Sequence, residues 1–200
     1  MISGFDFSEK NGLIVWEKLP SASQRFVYLK ASAGLFMPDK AFSTNRKNAK
    51  LNGWQVGGYH WLDPRLNCRL QAEKFAQTIG DTTGEIPPAV CLELYRAPAR
   101  DMDANVRSFI DTLVRLISRK VIIYTSPAYW KTNLPKSEWA SQCLLWIDQP
   151  GAFFPGQLYP WSGWSFWQTS FKTVLPGVPG QVGVNWFNGN ENELQQVAGL

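Results

Sequence analysis

"AVCLELYRAPARDMDANVRSFIDTLVRLISRKVIIYTS", residues 89 to 126, reads as strand, helix, strand. Val90, Cys91 and Leu92 suit a strand covered on both faces. From Asp103 to Lys120, Val106, Phe109, Ile110, Leu113, Val114 and Ile117 recur at three- and four-residue spacing, the stripe of a core-facing helix. "VIIYTS", 121 to 126, is a second buried strand. Two such strands joined by an amphipathic helix run parallel. Glu93 stands out in this unit, because a carboxylate ending an apolar strand is costly without a partner or a task.

Working outward, "SGFDFS" (3–8), "FVYLKAS" (26–32) and "QVGGYHW" (55–61) are candidate strands on the N-terminal side. "CLLWID" (143–148), "SFWQTS" (165–170) and "VGVNWF" (182–187) follow, making eight in all. Residues 39–53 predict a helix with Asp39 as N-cap and Gly53 past its end. Residues 63–80 predict another, with Asp63 as N-cap, Pro64 at the first helical position and Gly80 as terminator. The rhythm then breaks, since 149–164 and 171–181 are rich in Pro and Gly and carry no helical stripe. The expectation is an α/β fold over residues 1–200 as a single domain. It is a TIM-like (β/α) barrel, five βα units followed by three strands with few or no helices.

Composition narrows the function. At 44% hydrophobic and 18% charged, the chain is globular. No apolar run reaches the ~20 residues that span a bilayer, so membrane insertion is not expected. The basic residues behind the net charge of +4 are scattered, which argues against nucleic acid. Cys68, Cys91 and Cys143 are odd in number and widely spaced, and His60 is the single histidine. Neither a disulfide framework nor a metal or cofactor site is expected from them, and there is no phosphate loop or nucleophile elbow. "MISGFDFSEK" does not read as a secretory leader. The expectation is a chain that stays inside, leaves by lysis or another export route, or has had a leader trimmed. Ten Trp, twelve Phe and six Tyr are the unusual feature, and flat aromatic faces bind sugar rings. Trp61, Trp130, Trp146, Trp161, Trp164, Trp167 and Trp186 are candidates to flank a cleft; Trp16, Trp54 and Trp139 are expected in the core.

Barrel enzymes work at the C-terminal ends of their strands. Asp6, Asp63, Glu93 and Asp148 fall there, and Asp63 is set aside as a helix cap. Asp6 and Glu93, on the first and fourth strands, make the pair that glycosidic cleavage needs, one acid protonating the leaving oxygen. The competing reading of each is a buried acid held by Arg96 or Tyr59. His60 is either a structural group or a cleft residue, and Asp148 either a turn before Pro150 or an acid at the rim.

"GFDFS", "YLKASAG", "GGYHW", the strand ending in Glu93, "IIYTS", "LLWID", "FWQTS" and "VGVNWFNG" resemble, in order and spacing, the motifs of glycoside hydrolase family 25. The resemblance spans Gly4 to Gly189. It implies a (β/α) barrel with five βα units and three further strands. It also implies a lysozyme activity on the β-1,4 bond from N-acetylmuramic acid to N-acetylglucosamine in peptidoglycan, at the cell wall; separately, a monomer is expected. Asp6 matches the acid of the family's opening motif, and Tyr59 and His60 its Gly-Tyr-His-Phe. Glu93 matches the glutamate of Asp-x-Glu, which implies the general acid/base role. With the aromatic reasoning, this gives Tyr59, His60, Tyr124, Trp61, Trp146, Trp167, Gln168 and Asp148 as expected substrate-binding residues.

Three acidic positions of the pattern differ. Ala33 stands in "KASAG", Cys91 replaces the aspartate of Asp-x-Glu, and Gly183 follows Val182 where the family has Val-Asp. The resemblance implies that the substrate's acetamido group attacks while that aspartate orients it, and a thiol cannot replace a carboxylate there. Slow turnover is therefore expected, with activity raised by Cys91→Asp and more so by adding Gly183→Asp. The alternatives are a binding protein that keeps the cleft without turnover, or an enzyme in which Asp148, where the family has a small residue, supplies the missing acid.

Overall fold

The computed structural model describes residues 1–20, 24–93 and 95–199. Its strands are β1 (Ile2–Phe7), β2 (Gln24–Ala33), β3 (Met37–Pro38), β4 (Gln55–Trp61), β5 (Ala89–Leu92), β6 (Ile122–Thr125), β7 (Leu144–Asp148), β8 (Phe166–Val174) and β9 (Gln181–Phe187). Helices α1 (Phe42–Leu51), α2 (Cys68–Ile79), α3 (Ala99–Ile117) and α4 (Pro127–Asn133) follow β3, β4, β5 and β6; α5 (Glu191–Ala198) follows β9. The ring runs β1-β2-β4-β5-β6-β7-β8-β9 and closes where β9 pairs with β1, so eight strands form the barrel. The short β3 pairs antiparallel with the end of β2. Within the ring all neighbours from β1 to β8 are parallel, whereas β9 runs antiparallel to both β8 and β1. Its reversed direction follows from the short hairpin that leads into it: too few residues lie between β8 and β9 for a crossover.

The first of the five units closes with two 3₁₀ turns, Glu9–Asn11 and Trp16–Lys18, in place of an α-helix. Trp16 covers that side of the barrel, edge-on to Phe7 and to Trp54. The predicted helix starts shift for local reasons. Asp39 accepts from the amides of Ala41 at 3.0 Å and Glu9 at 2.8 Å, which shapes the turn before α1 without capping it. The N-cap of α2 is Asn67, whose side chain accepts from Leu70 N at 2.9 Å. Asp63 is taken by the Arg65 guanidinium at 2.7 and 2.8 Å, which holds its carboxyl below the usual range. α3 begins at Ala99, ahead of Asp103, whose side chain accepts from Trp139 Nε1 at 2.8 Å and from Ser137 Oγ.

Strand alternation produces two cores. Outward residues such as Val90, Leu92, Ile123, Leu145 and Ile147 pack under the helices with Phe75, Phe109 and Leu113. Inward residues Phe26, Tyr28, Ala89, Ile122, Trp146 and Phe166 fill the barrel, and Leu194 and Ala198 of α5 join them at the end where the parallel strands begin. With that end closed, the opposite mouth is left for chemistry. Gly57 makes room inside: a Cβ there would stand 2.3 Å from Cε1 of Tyr28, whose hydroxyl donates to Pro87 O at 3.0 Å. Among the described residues no helix is long and apolar enough to cross a membrane.

Candidate active site

A cavity of about 280 Å³ opens at the C-terminal ends of the parallel strands. Asp6 of β1, Tyr59 and Trp61 of β4, and Cys91 and Glu93 at the end of β5 line one side. Tyr124 of β6, Trp146 and Asp148 of β7, and Gln168 and Phe171 of β8 line the other. Tyr59 and Trp61, Cys91 and Glu93, and Trp146 and Asp148 are each two residues apart, so the pleat sends both side chains of each pair to the same face.

A hydrogen-bonded chain fixes the floor. Trp146 Nε1 donates to Asn185 Oδ1 at 2.9 Å, and Asn185 Nδ2 donates to Asp6 Oδ2 at 2.7 Å. Gln168 Nε2 donates to the same Asp6 oxygen at 2.8 Å, while its Oε1 accepts from the Tyr124 hydroxyl at 2.6 Å. Burial still raises the Asp6 carboxyl above its usual value, against the pull of these two amides.

Glu93 titrates unlike an ordinary glutamate. Burial pushes its carboxyl up to about 7, the charges of Asp148 and Asp6 add to the rise, and hydrogen bonds with Tyr124 and Trp61 oppose it. Burial likewise lifts Asp148 to about 6, with Tyr124 opposing and Asp6 adding. Arg96, available in sequence as a structural partner, is exposed to solvent. Cys91 is buried, and burial followed by the charges of Glu93 and Asp6 raises its thiol well above the usual value, so it is neutral near pH 7. Lys30 brings positive charge to the rim, its Nζ 4.5 Å from the centre of the Trp61 ring.

Two expected binding residues lie outside the cavity. His60 falls between Tyr59 and Trp61 on β4, so the pleat turns it outward into the helix layer. There its ring stacks on Phe109, contacts Phe75, and hydrogen-bonds Ser32 Oγ at 2.9 Å and Gln71 Oε1 at 3.3 Å. Burial lowers its pKa to about 4. Trp167, between Phe166 and Gln168, is turned outward in the same way; its Nε1 donates to Gln149 O at 3.0 Å and its ring packs on Trp164 and Phe154. Of the Trp candidates for sugar platforms, Trp61 and Trp146 line the cavity. Trp130 and Trp161 pack together beneath the helices.

The space at Gly183 is already taken. A Cβ there would lie 1.9 Å from Asp6 Oδ2 and 2.6 Å from Gln168 Nε2, so Asp6 fills the volume an aspartate at 183 would need. An aspartate at 183 would therefore have to displace Asp6 from its two amides before its own carboxyl could act. Ala33 is buried at the end of β2 beside Met37 and Trp61. Asn185 and Phe171 went unpredicted. Asn185 was visible as a lone amide in an apolar strand; Phe171 reaches the cavity only because β8 shifts register against β9 beyond Gln168. Among the described residues no group of three or more His, Cys, Asp or Glu could hold a metal ion.

A half-buried acid whose proton is held toward neutral pH, beside further carboxylates and aromatic walls, is equipped to protonate the oxygen of a glycosidic bond. The model of the glycosyl hydrolases family 25 matches residues 5–178. The chain belongs to that family. It is 29% identical over 211 residues to "Lysozyme M1" of Streptomyces globisporus, covering 98% of this chain and 71% of that protein. The crystal structure of the lysozyme from Streptomyces coelicolor superposes with a TM-score of 0.92 at 28% identity, covering 98% of this chain and 96% of that one. A muramidase from Acremonium alcalophilum gives 0.90 at 28% identity, covering 99% of each. Membership in family 25 makes the chain a glycoside hydrolase, and its (β/α) barrel is the scaffold of its family relatives.

Proposed function

We propose that the protein is a muramidase that hydrolyses the β-1,4 bond from N-acetylmuramic acid to N-acetylglucosamine in peptidoglycan, with Glu93 as general acid and then general base. The observation that carries the reading is the Glu93 carboxyl at the open barrel mouth, protonated up to about pH 7. Its proton passes to the leaving glycosidic oxygen, and the resulting carboxylate activates the water that completes hydrolysis. Asp6, fixed by Gln168 and Asn185, is the supporting carboxylate, since its charge helps hold the proton on Glu93. Trp61 gives the sugar rings a flat wall, with Tyr59 and Trp146 at the base of the cavity. The place of action is the cell wall, and one copy of the chain suffices because every group named stands in one mouth.

A second reading, a cell-wall glycan-binding protein without turnover, is favoured by the neutral thiol of Cys91 in the cavity wall. Digestion of purified peptidoglycan with mass analysis of the reducing ends separates the two. The muramidase releases fragments ending in N-acetylmuramic acid, and Glu93→Gln lowers that release by roughly 10²–10⁴-fold, the usual weight of a general acid. Binding by the wild type without any new reducing end would leave only the second reading.

A further inference from the structure

We propose that Asp148, at the end of β7, is the second catalytic carboxylate: it faces the charge that develops on the sugar while Glu93 protonates the leaving oxygen. This deepens the muramidase reading and rests on it.

Three carboxylates line the cavity, Asp6, Glu93 and Asp148, and cleavage of a glycosidic bond uses two in different protonation states. Asp6 is engaged elsewhere. Its Oδ2 accepts from both Gln168 and Asn185, and it sits in the space left open by Gly183. Asp148 is in the opposite condition. Its Oδ1 is buried and has no hydrogen-bond partner among the described residues. The hydroxyl of Tyr124 interacts with Asp148, Glu93 and Gln168, and one phenolic proton cannot serve three acceptors. A buried acceptor left unsatisfied is costly and calls for an explanation. A substrate that brings a donor supplies one, and the N–H of a 2-acetamido group on an aminosugar is such a donor, beside an anomeric carbon that becomes positive. The placement is local. Trp146 points into the barrel, so the pleat sends Asp148 to the same face, in register with Gln168 of β8.

The order of ionisation fits these roles. Asp148 titrates at about 6 and Glu93 at about 7, with the charge of Asp148 second only to burial in raising Glu93. Of the two, Glu93 is the carboxyl pushed higher, and a charge on Asp148 helps to keep the proton there. Among the described residues the other titratable groups lining the cavity are Asp6 on β1, Tyr59 on β4, Cys91 on β5 and Tyr124 on β6, with Lys30 of β2 over the Trp61 ring. Burial raises Tyr59, Cys91 and Tyr124 well above their usual values, so these three stay neutral near pH 7. In the step itself, the bond from the anomeric carbon to the glycosidic oxygen breaks with its electron pair going to oxygen, which takes the Glu93 proton. Asp148 accepts the acetamido N–H and offsets the positive charge. Water then adds to the anomeric carbon and returns a proton to Glu93, leaving Asp148 unchanged.

The test compares the wild type, Asp148→Asn and Glu93→Gln on purified peptidoglycan across pH, with chitotriose quenching of Trp fluorescence as a check on folding and binding. The expected result is a fall in kcat of about 10²–10³-fold for Asp148→Asn, the range for one group that stabilises charge. KM should change little, and the acidic limb of the kcat/KM profile should disappear. Asp148→Asn with wild-type kcat and both limbs intact overturns the assignment while the muramidase reading stands. A wild type that releases no reducing ends overturns both. Carbon-13 titration of the wild-type carboxyls needs no variant: Asp148 is expected to ionise before Glu93, and the reverse order overturns the assignment.

Discussion

Gly183→Ala tests the floor of the site with one methyl group. The added Cβ would stand 1.9 Å from Asp6 Oδ2 and 2.6 Å from Gln168 Nε2, so Asp6 has to leave its position. Leaving it breaks the hydrogen bonds of 2.7 Å from Asn185 and 2.8 Å from Gln168. Hydrogen bonds to a charged group contribute about 1.5–3 kcal/mol each, so losing both costs about 3–6 kcal/mol. Asp6 recovers part of this by rotating or by taking up a proton, which brings the expected loss to about 3 kcal/mol. For a domain of this size that lowers Tm by roughly 6–12 °C. Urea unfolding followed by Trp fluorescence, with calorimetry, reads the change. Gly163→Ala is the control, because a Cβ there meets nothing within 4 Å. Gly183→Ala within about 0.5 kcal/mol of the wild type, the usual range of a harmless surface change, would refute the placement of Asp6.

His60→Gln should leave KM and kcat per folded molecule within two-fold, because the ring lies in the helix layer, yet lower stability by about 2–3 kcal/mol through lost stacking and hydrogen bonds. A selective loss of kcat in the peptidoglycan assay would return His60 to the cleft. Glu93 has a folded pKa raised from 4.5 to about 7, so the folded chain binds the extra proton between those values, and its stability contribution is lost as pH rises through about 7. Unfolding of the wild type and Glu93→Gln at a series of pH values should show the wild type losing stability relative to the variant as pH rises across that window; parallel curves would contradict the raised pKa.

The eight strands, α2 ending at Gly80 and the stripe of α3 were legible because period-two and period-3.6 patterns are local properties of the chain. Glu93 was legible for the same reason, as a charge that an apolar strand does not take without cause. The facing of His60 and Trp167 was also within reach: with Tyr59, Trp61 and Gln168 in the barrel, their neighbours had to point out. Helix starts were missed where Asp39, Asp63 and Asp103 found partners distant in sequence or in a preceding turn. Only the closed barrel decided the site itself. It brings Gly183 of β9 opposite Asp6 of β1, so that the absence of one side chain makes room for another. It also gathers Asp6, Glu93 and Asp148 from three strands into one poorly solvated mouth, where each carboxyl shifts another's ionisation. Burial and mutual charge depend on distances across the barrel, and no local pattern in the chain encodes them.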